Sequence, residues 1–306
     1  MVLKNYFGGN MKFLSLVTLG FLVIGANLLA SPDPTVTIQC AKFDAPLTGG
    51  YCIHKPVRTF NRDIVYYLHG KGNSELTWQD EYFYGQQIRD FWTAHHLPFP
   101  TVVSISFGPV WILAEKNSSA GSGLFNVVTD SVIPKIEAGL GGLKGRRILV
   151  GESMGGFNSI QLALKTTLFD KAGLICAQMA SLSPFAAPDV IEKFIESSDA
   201  WQYYKGSDPD SVKSAVSEMI LVSKLFYPSP DEWKVADPLA LAQTSDPDKA
   251  PTLYIADGFY DKYASYEGNE LFVKTLKSRG FRLQWRPQWG GHCSIDIPTL
   301  SRFLVD

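Results

Sequence analysis

Arg146-Arg147-Ile148-Leu149-Val150-Gly151-Glu152-Ser153-Met154-Gly155-Gly156-Phe157-Asn158-Ser159-Ile160-Gln161-Leu162-Ala163-Leu164 is the stretch that decides how this chain is read. It opens on a short aliphatic run of the kind that makes a fully buried strand, and it closes on residues with helical spacing. Between the two lies Gly151-Glu152-Ser153-Met154-Gly155, a G-x-S-x-G pentapeptide. In a sharp turn from strand to helix the serine takes up a strained backbone conformation, and a side chain at either flanking glycine would collide with nearby backbone. Such a pentapeptide also arises by chance, so its meaning comes from the strand before it and the helix after it. The pattern makes Ser153 a candidate nucleophile at the end of a central strand.

A serine hydroxyl is inert until a base takes its proton, and the base must be held by a third group. In this kind of turn the chain order is serine, acid, histidine. The five histidines are His54, His69, His95, His96 and His292, and only His292 follows Ser153. It sits in Trp289-Gly290-Gly291-His292-Cys293, a glycine-rich loop after the last predicted strand. Two acids follow the preceding strand, Pro251–Ala256: Asp257 at its very end and Asp261 in the loop beyond. The negative oxygen formed in acyl transfer needs preorganised N–H donors. Tyr66-Tyr67-Leu68-His69-Gly70-Lys71-Gly72 offers a strand and a glycine-bracketed turn. We assign one donor to the backbone of Lys71 and the other to the backbone of Met154, with His69 bracing the loop.

Outward from this centre, short β-branched runs alternate with longer amphipathic ones, the signature of a mostly parallel sheet with helices on both faces. Strands are predicted at 63–68, 101–106, 147–150, 172–178, 251–256 and 282–286. Helices are predicted at 84–96, 126–139, 154–167, 269–279 and over the last dozen residues. The alternation breaks between Ser183 and about Ala250, where two or three helix-like pieces, among them 189–196 and 210–225, stand between strands. That is too long for an ordinary loop. The expected architecture is an α/β-hydrolase fold over residues 31–306, doubly wound, with a helical cap or lid insertion at about 183–250.

The first thirty residues differ from the rest. Lys4 and Lys12 are their only charges, and Phe13 to Ala30 is an almost unbroken apolar run. The run approaches membrane-spanning length, but its small-residue end followed by Ser31-Pro32-Asp33-Pro34 reads as a cleaved signal peptide, with Met1 or Met11 as the start. The expected location is secreted or periplasmic, with no stable membrane anchor after cleavage. Export would place Cys40, Cys52, Cys176 and Cys293 where disulfides persist. Cys40 and Cys52 flank a segment that reads as a hairpin turn, which suits a pair between them, although four cysteines have three possible connectivities. A formal charge of -2 in 306 residues gives no basic field for nucleic acid. No motif implies a metal, nucleotide or organic cofactor, and the cysteine spacings match no zinc pattern.

Taken together, His69-Gly70, Gly151-Glu152-Ser153-Met154-Gly155-Gly156, Asp257-Gly258-Phe259-Tyr260-Asp261 and Gly291-His292 resemble the putative-esterase (esterase D-like) family of α/β-hydrolases. That family includes S-formylglutathione hydrolases, feruloyl and acetylxylan esterases and mycolyltransferases. The Ser-Met-Gly-Gly form of the turn is its most specific part, and the similarity runs from about Asp63 to the C-terminus, weakest across the insertion. The resemblance implies a serine esterase with Ser153, Asp261 and His292 as its triad, the acid standing three residues beyond Gly258. It implies a small-molecule or carbohydrate ester as substrate. Acyl transfer to an alcohol by the same triad, and a noncatalytic binding module on a retained scaffold, are the alternatives. Trp111 and Trp289 are the candidate pocket aromatics.

Overall fold

The computed structural model describes residues 27–29, 35–43, 48–58, 61–115, 123–196 and 209–306. Nine strands form one sheet: β1 (Asn27–Leu29), β2 (Val36–Lys42), β3 (Gly50–Pro56), β4 (Ile64–Leu68), β5 (Thr101–Ser106), β6 (Arg147–Glu152), β7 (Lys171–Ile175), β8 (Thr252–Gly258) and β9 (Leu283–Gln288). Their spatial order is β1-β2-β3-β5-β4-β6-β7-β8-β9. The pairs from β5 through β9 are parallel, and β1, β2 and β3 run antiparallel at one edge. All six predicted strands are present, and the fold is the expected doubly wound α/β arrangement. The antiparallel edge was legible only as the hairpin around Cys40 and Cys52, which face each other across β2 and β3 and are bonded. The predicted signal peptide lies outside the described residues except for Asn27–Leu29, which pair with β2.

The helices are α1 (Tyr84–Ala94), α2 (Leu124–Val127), α3 (Ile133–Gly139), α4 (Met154–Lys165), α5 (Pro188–Glu196), α6 (Pro209–Phe226), α7 (Pro230–Trp233), α8 (Pro238–Thr244), α9 (Tyr266–Ser278) and α10 (Ile297–Val305). The single helix predicted at 126–139 is α2 and α3 joined by one widened π turn, Val128–Val132. Among the described residues, the insertion between β7 and β8 holds four helices, α5 to α8, where two or three were expected. The strand predicted to reach Gln178 stops at Ile175, because Cys176 turns the chain with φ at 41°. Among the described residues no helix is long and apolar enough to cross a membrane.

Strand alternation divides the core between the two faces of the sheet. Ile64, Tyr66, Leu68 and Leu149 pack with Ile133, Ile160, Phe272 and Leu276 on one face, while Val65, Tyr67, Ile148 and Val150 pack with Ile88, Trp92, Leu300 and Leu304 on the other. The two arginines that open β6 fix its start. Arg146 makes a two-pronged pair with Asp63, and Arg147 makes one with Glu137, which also accepts from the Tyr66 hydroxyl. With β6 held centrally between β4 and β7, its C-terminal end projects Ser153 at the edge of the sheet where ligands bind in such folds.

His54 on β3 is buried, and neither of its ring nitrogens has a hydrogen-bond partner among the described residues. Burial, and secondarily the Arg89 charge, push its pKa down to about 3. The folded chain therefore holds a neutral imidazole that the unfolded chain protonates below about 6.5. Stability from this group is fully present above that value and is lost as pH falls from there towards about 3. Urea unfolding at pH 5 should show His54 costing about 2 kcal/mol relative to pH 7.5. The His54→Leu variant should lose correspondingly less over the same interval, and equal losses in the two proteins would contradict the assignment.

Candidate active site

Ser153 follows the last residue of β6 and caps α4 with φ at 50° and ψ at -114°, a conformation that costs a non-glycine residue of order 1–3 kcal/mol. The neighbours make it possible. A Cβ at Gly151 would overlap the Gly155 carbonyl and the Ser159 hydroxyl, and one at Gly155 would overlap the Leu68 carbonyl. Backbone bonds then fix the turn. Ser153 N–H donates to the Ile175 carbonyl at 2.9 Å, and the Ser153 carbonyl accepts from Phe157 at 3.0 Å and Gln178 at 3.1 Å.

The three sequence-selected side chains meet here although 139 residues separate Ser153 from His292. Ser153 Oγ lies 3.0 Å from His292 Nε2, and His292 Nδ1 lies 2.5 Å from Asp261 Oδ2. A carboxylate only accepts, so Nδ1 carries the proton and Nε2 is free to take one from the serine. Burial pushes the Asp261 carboxyl up. The His292 charge, with hydrogen bonds from His292, Ser265 and Asp257, outweighs burial and holds it below its ordinary value. Asp261 thus stays ionised in a buried place. The Tyr263 ring packs edge-on against the imidazole, 4.7 Å between centroids.

The loop bearing His292 is held from both sides. Tyr260 N–H donates to the Gly290 carbonyl at 2.9 Å, Phe259 N–H to the Gln288 carbonyl at 2.9 Å, and Cys293 is bonded to Cys176 at the end of β7. Cys176, His292 and Cys293 are the one group among the described residues with the spacing of metal ligands. The sulfurs are bonded to each other and the imidazole bridges Ser153 and Asp261, so this trio offers no free ligand atom.

The turn after β4 packs against the turn that holds Ser153, where a Cβ at Gly155 would overlap the Leu68 and His69 carbonyls. The N–H groups of Lys71 and of Met154, the first residue of α4, have no acceptor among the described residues. Glu152 braces this turn, a role that sequence reasoning did not find. It is buried, and its Oε1 accepts from Tyr67 Oη at 2.9 Å, Gly70 N–H at 3.0 Å and Asn73 Nδ2 at 2.9 Å. A glutamate inside the pentapeptide gives no signal of its own, because the motif leaves that position open. His69 braces from the other side. Its Nδ1 donates to the Gly70 carbonyl at 2.7 Å, leaving Nε2 to accept from Ser106 Oγ at 2.8 Å, and burial lowers its pKa.

Trp111, Ile112, Phe157, Gln178, Met219, Val222 and Ser223 line a partly open recess with about 10 Å³ of free space, roughly the room of one water molecule. Phe157 and Gln178 are the residues whose N–H groups bind the Ser153 carbonyl, and the last three come from α6 of the insertion. Trp111 also donates from Nε1 to Glu218 of α6 at 3.0 Å, and Lys71 Nζ pairs with the same carboxylate at 2.6 Å. Trp289 is placed differently. It is 81% exposed on the rim of the His292 loop, its ring against Phe259 at 4.9 Å. Trp78 is core, and Trp201 and Tyr203 lie outside the described residues.

A family model described as putative esterase matches residues 58–286. No curated protein sequence matches the chain. Among solved structures, the chain is similar to an S-formylglutathione hydrolase from Agrobacterium tumefaciens, 16% identical, with 93% of this chain and 96% of that one covered and a TM-score of 0.59. It is also similar to carboxyl esterase 2 from the fungus Tuber melanosporum, 18% identical, covering 90% and 84%, with a TM-score of 0.56. A ferulic acid esterase, 15% identical, covers 88% and 96% with a TM-score of 0.54. At these identities the likeness is one of fold.

The two disulfides differ in the length of chain they close, 12 residues for Cys40–Cys52 and 117 for Cys176–Cys293. Chain-entropy arguments put their contributions near 3 kcal/mol and about 4–5 kcal/mol. Urea unfolding of the two double alanine variants should therefore rank the loss of Cys176–Cys293 as the more costly, and the opposite ranking would contradict this.

Proposed function

From the premise that the chain belongs to the putative-esterase family of carboxylic-ester hydrolases, we propose that Ser153, His292 and Asp261 form its catalytic triad. The observation that carries the reading is the continuous path from Ser153 Oγ through the imidazole to a buried, ionised carboxylate. The Ser153 hydroxyl gives its proton to His292 Nε2 as its oxygen attacks the ester carbonyl carbon. The negative oxygen of the tetrahedral intermediate is met by the N–H groups of Lys71 and Met154. Collapse breaks the bond to the alcohol, which leaves with the proton from His292, and the acyl group stays on Ser153. Water then attacks the acyl-enzyme, losing a proton to His292, and the acid departs as Ser153 recovers its hydrogen. Asp261 holds the Nδ1–H tautomer throughout and balances the imidazolium.

The helical insertion acts as a cap that bounds the acyl side of the site. Met219, Val222 and Ser223 leave a recess of only about 10 Å³ beside Phe157 and Gln178, whose N–H groups bind the Ser153 carbonyl, so α6 restricts the acyl group to short chains and longer ones require it to move. The exposed Trp289 ring on the rim of the His292 loop suits contact with the alcohol part of a small-molecule or carbohydrate ester. Two disulfides and the apolar N-terminal run support a protein exported to an oxidising compartment, secreted or periplasmic after removal of a signal peptide.

Ser153→Ala should stay folded and lose about three to six powers of ten in kcat on p-nitrophenyl acetate. Near-normal turnover of the purified variant would refute the triad. Glu152→Ala frees the turn that carries Lys71 and should lower kcat about 10- to 100-fold with little change in KM, a smaller loss than removing an oxyanion donor outright. Along a series of p-nitrophenyl esters of increasing acyl length, the native protein should favour the shortest, and Met219→Ala should move the optimum to longer chains. An unchanged profile in a folded Met219→Ala protein would show that α6 does not set acyl preference.

A further inference from the structure

Beneath the triad lies a second acid that the mechanism does not use. Asp257, the penultimate residue of β8, is fully buried. Its Oδ1 accepts from Gly258 N–H at 2.8 Å, and its Oδ2 lies 2.8 Å from Asn269 Nδ2 and 3.1 Å from Ser265 Oγ. Ser265 Oγ is also 2.5 Å from Asp261 Oδ2, the atom that faces His292. Two carboxyl groups therefore share one hydroxyl.

Counting protons decides the state of this pair. The Ser265 hydroxyl has one hydrogen, and its shorter contact, to Asp261, claims it. The 3.1 Å contact with Asp257 is then attractive only if Asp257 supplies the hydrogen. The surroundings agree. The polar groups facing the pair are the N–H groups of Gly258 and Tyr263, the side chains of Ser265 and Asn269 from the α9 end, and His292 across Asp261. Among the described residues no lysine or arginine forms a hydrogen bond or ion pair with Asp257. Two adjacent buried anions with a single imidazole to balance them repel, so one takes a proton.

We propose that Asp257 is a positioning residue, a neutral carboxylic acid whose proton ties it to Ser265 and Asp261 and leaves Asp261 the single anion under His292. Burial first, then the charge of Asp261 and the hydrogen bond to it, push the Asp257 carboxyl well above the usual carboxylate range, the direction this requires. The consequence is a matched charge. One carboxylate balances the imidazolium formed during the reaction, whereas a second would favour a resting imidazolium that could not accept the serine proton. The inference rests on the triad reading.

The test is the pH profile of kcat/KM on p-nitrophenyl acetate for the native protein, Asp257→Asn and Asp261→Asn, with infrared difference spectra of the first two at pH 7. An asparagine amide keeps a neutral donor towards Ser265 and an acceptor for Gly258 N–H, and gives up only the bond that Oδ2 accepts from Asn269 Nδ2. Asp257→Asn should thus keep kcat/KM within about threefold of native with its acid limb in place, while Asp261→Asn loses several powers of ten. The spectrum of the native protein should contain the carbonyl stretch of a protonated buried carboxylic acid that Asp257→Asn lacks. If Asp257 were ionised, removing its charge would shift the acid limb down by about one pH unit or more. That shift, the absence of the infrared band, or a folded Asp257→Asn protein with turnover lost would overturn the proposal. Full turnover in Asp261→Asn would instead show that the triad reading itself fails.

Discussion

A non-glycine residue at φ 50° and ψ -114° is held there against its own preference, and the architecture around β6 is organised to hold Ser153 in that state. The strand is anchored at its start by Arg146 and Arg147, buried on both faces, and paired with β4 and β7 along its length. Gly151 and Gly155 remove the side chains that would block the turn. The serine carbonyl is bonded from α4 and from the segment after β7. Released from these contacts the residue would relax to ordinary backbone, and its hydroxyl would swing away from the imidazole.

The same sheet edge delivers the other groups. The turn after β4, Ser153 after β6, Asp261 after β8 and His292 after β9 all leave the C-terminal ends of parallel strands, so strand register sets their spacing. Glu152 couples two of these ends directly, since it precedes Ser153 and bonds the Gly70–Asn73 turn. The Cys176–Cys293 bond couples two more, from β7 to the residue after His292. An imidazole on a glycine-rich loop needs such restraint, because each glycine before it adds backbone freedom that must be lost for Nε2 to face the serine.

Much of this was legible in the sequence. The six strands of the parallel part and the helices on the two faces follow from runs such as Ile148-Leu149-Val150, whose apolar character reflects burial on both sides. Chain order alone singled out His292, because no other histidine follows Ser153. The short edge strands were harder to read, since only one side of each packs against the core and their residues mix polar and apolar. Glu152, Ser265 and Asn269 were invisible for a different reason. Each acts through a hydrogen bond to a residue distant in sequence, and nothing in local composition distinguishes such a group from a solvated one. Asp257 and Asp261 were both visible as acids, but only the packing at the end of β8 shows that one faces the imidazole and the other lies beneath it.

If Ser153 is the one activated nucleophile of this chain, reaction with a fluorophosphonate probe followed by mass spectrometry will find it. The folded protein should gain the mass of a single adduct, carried by the peptide that contains Ser153, and Ser153→Ala should gain none. A folded native protein that stays unmodified, or an adduct on another residue, would contradict the account.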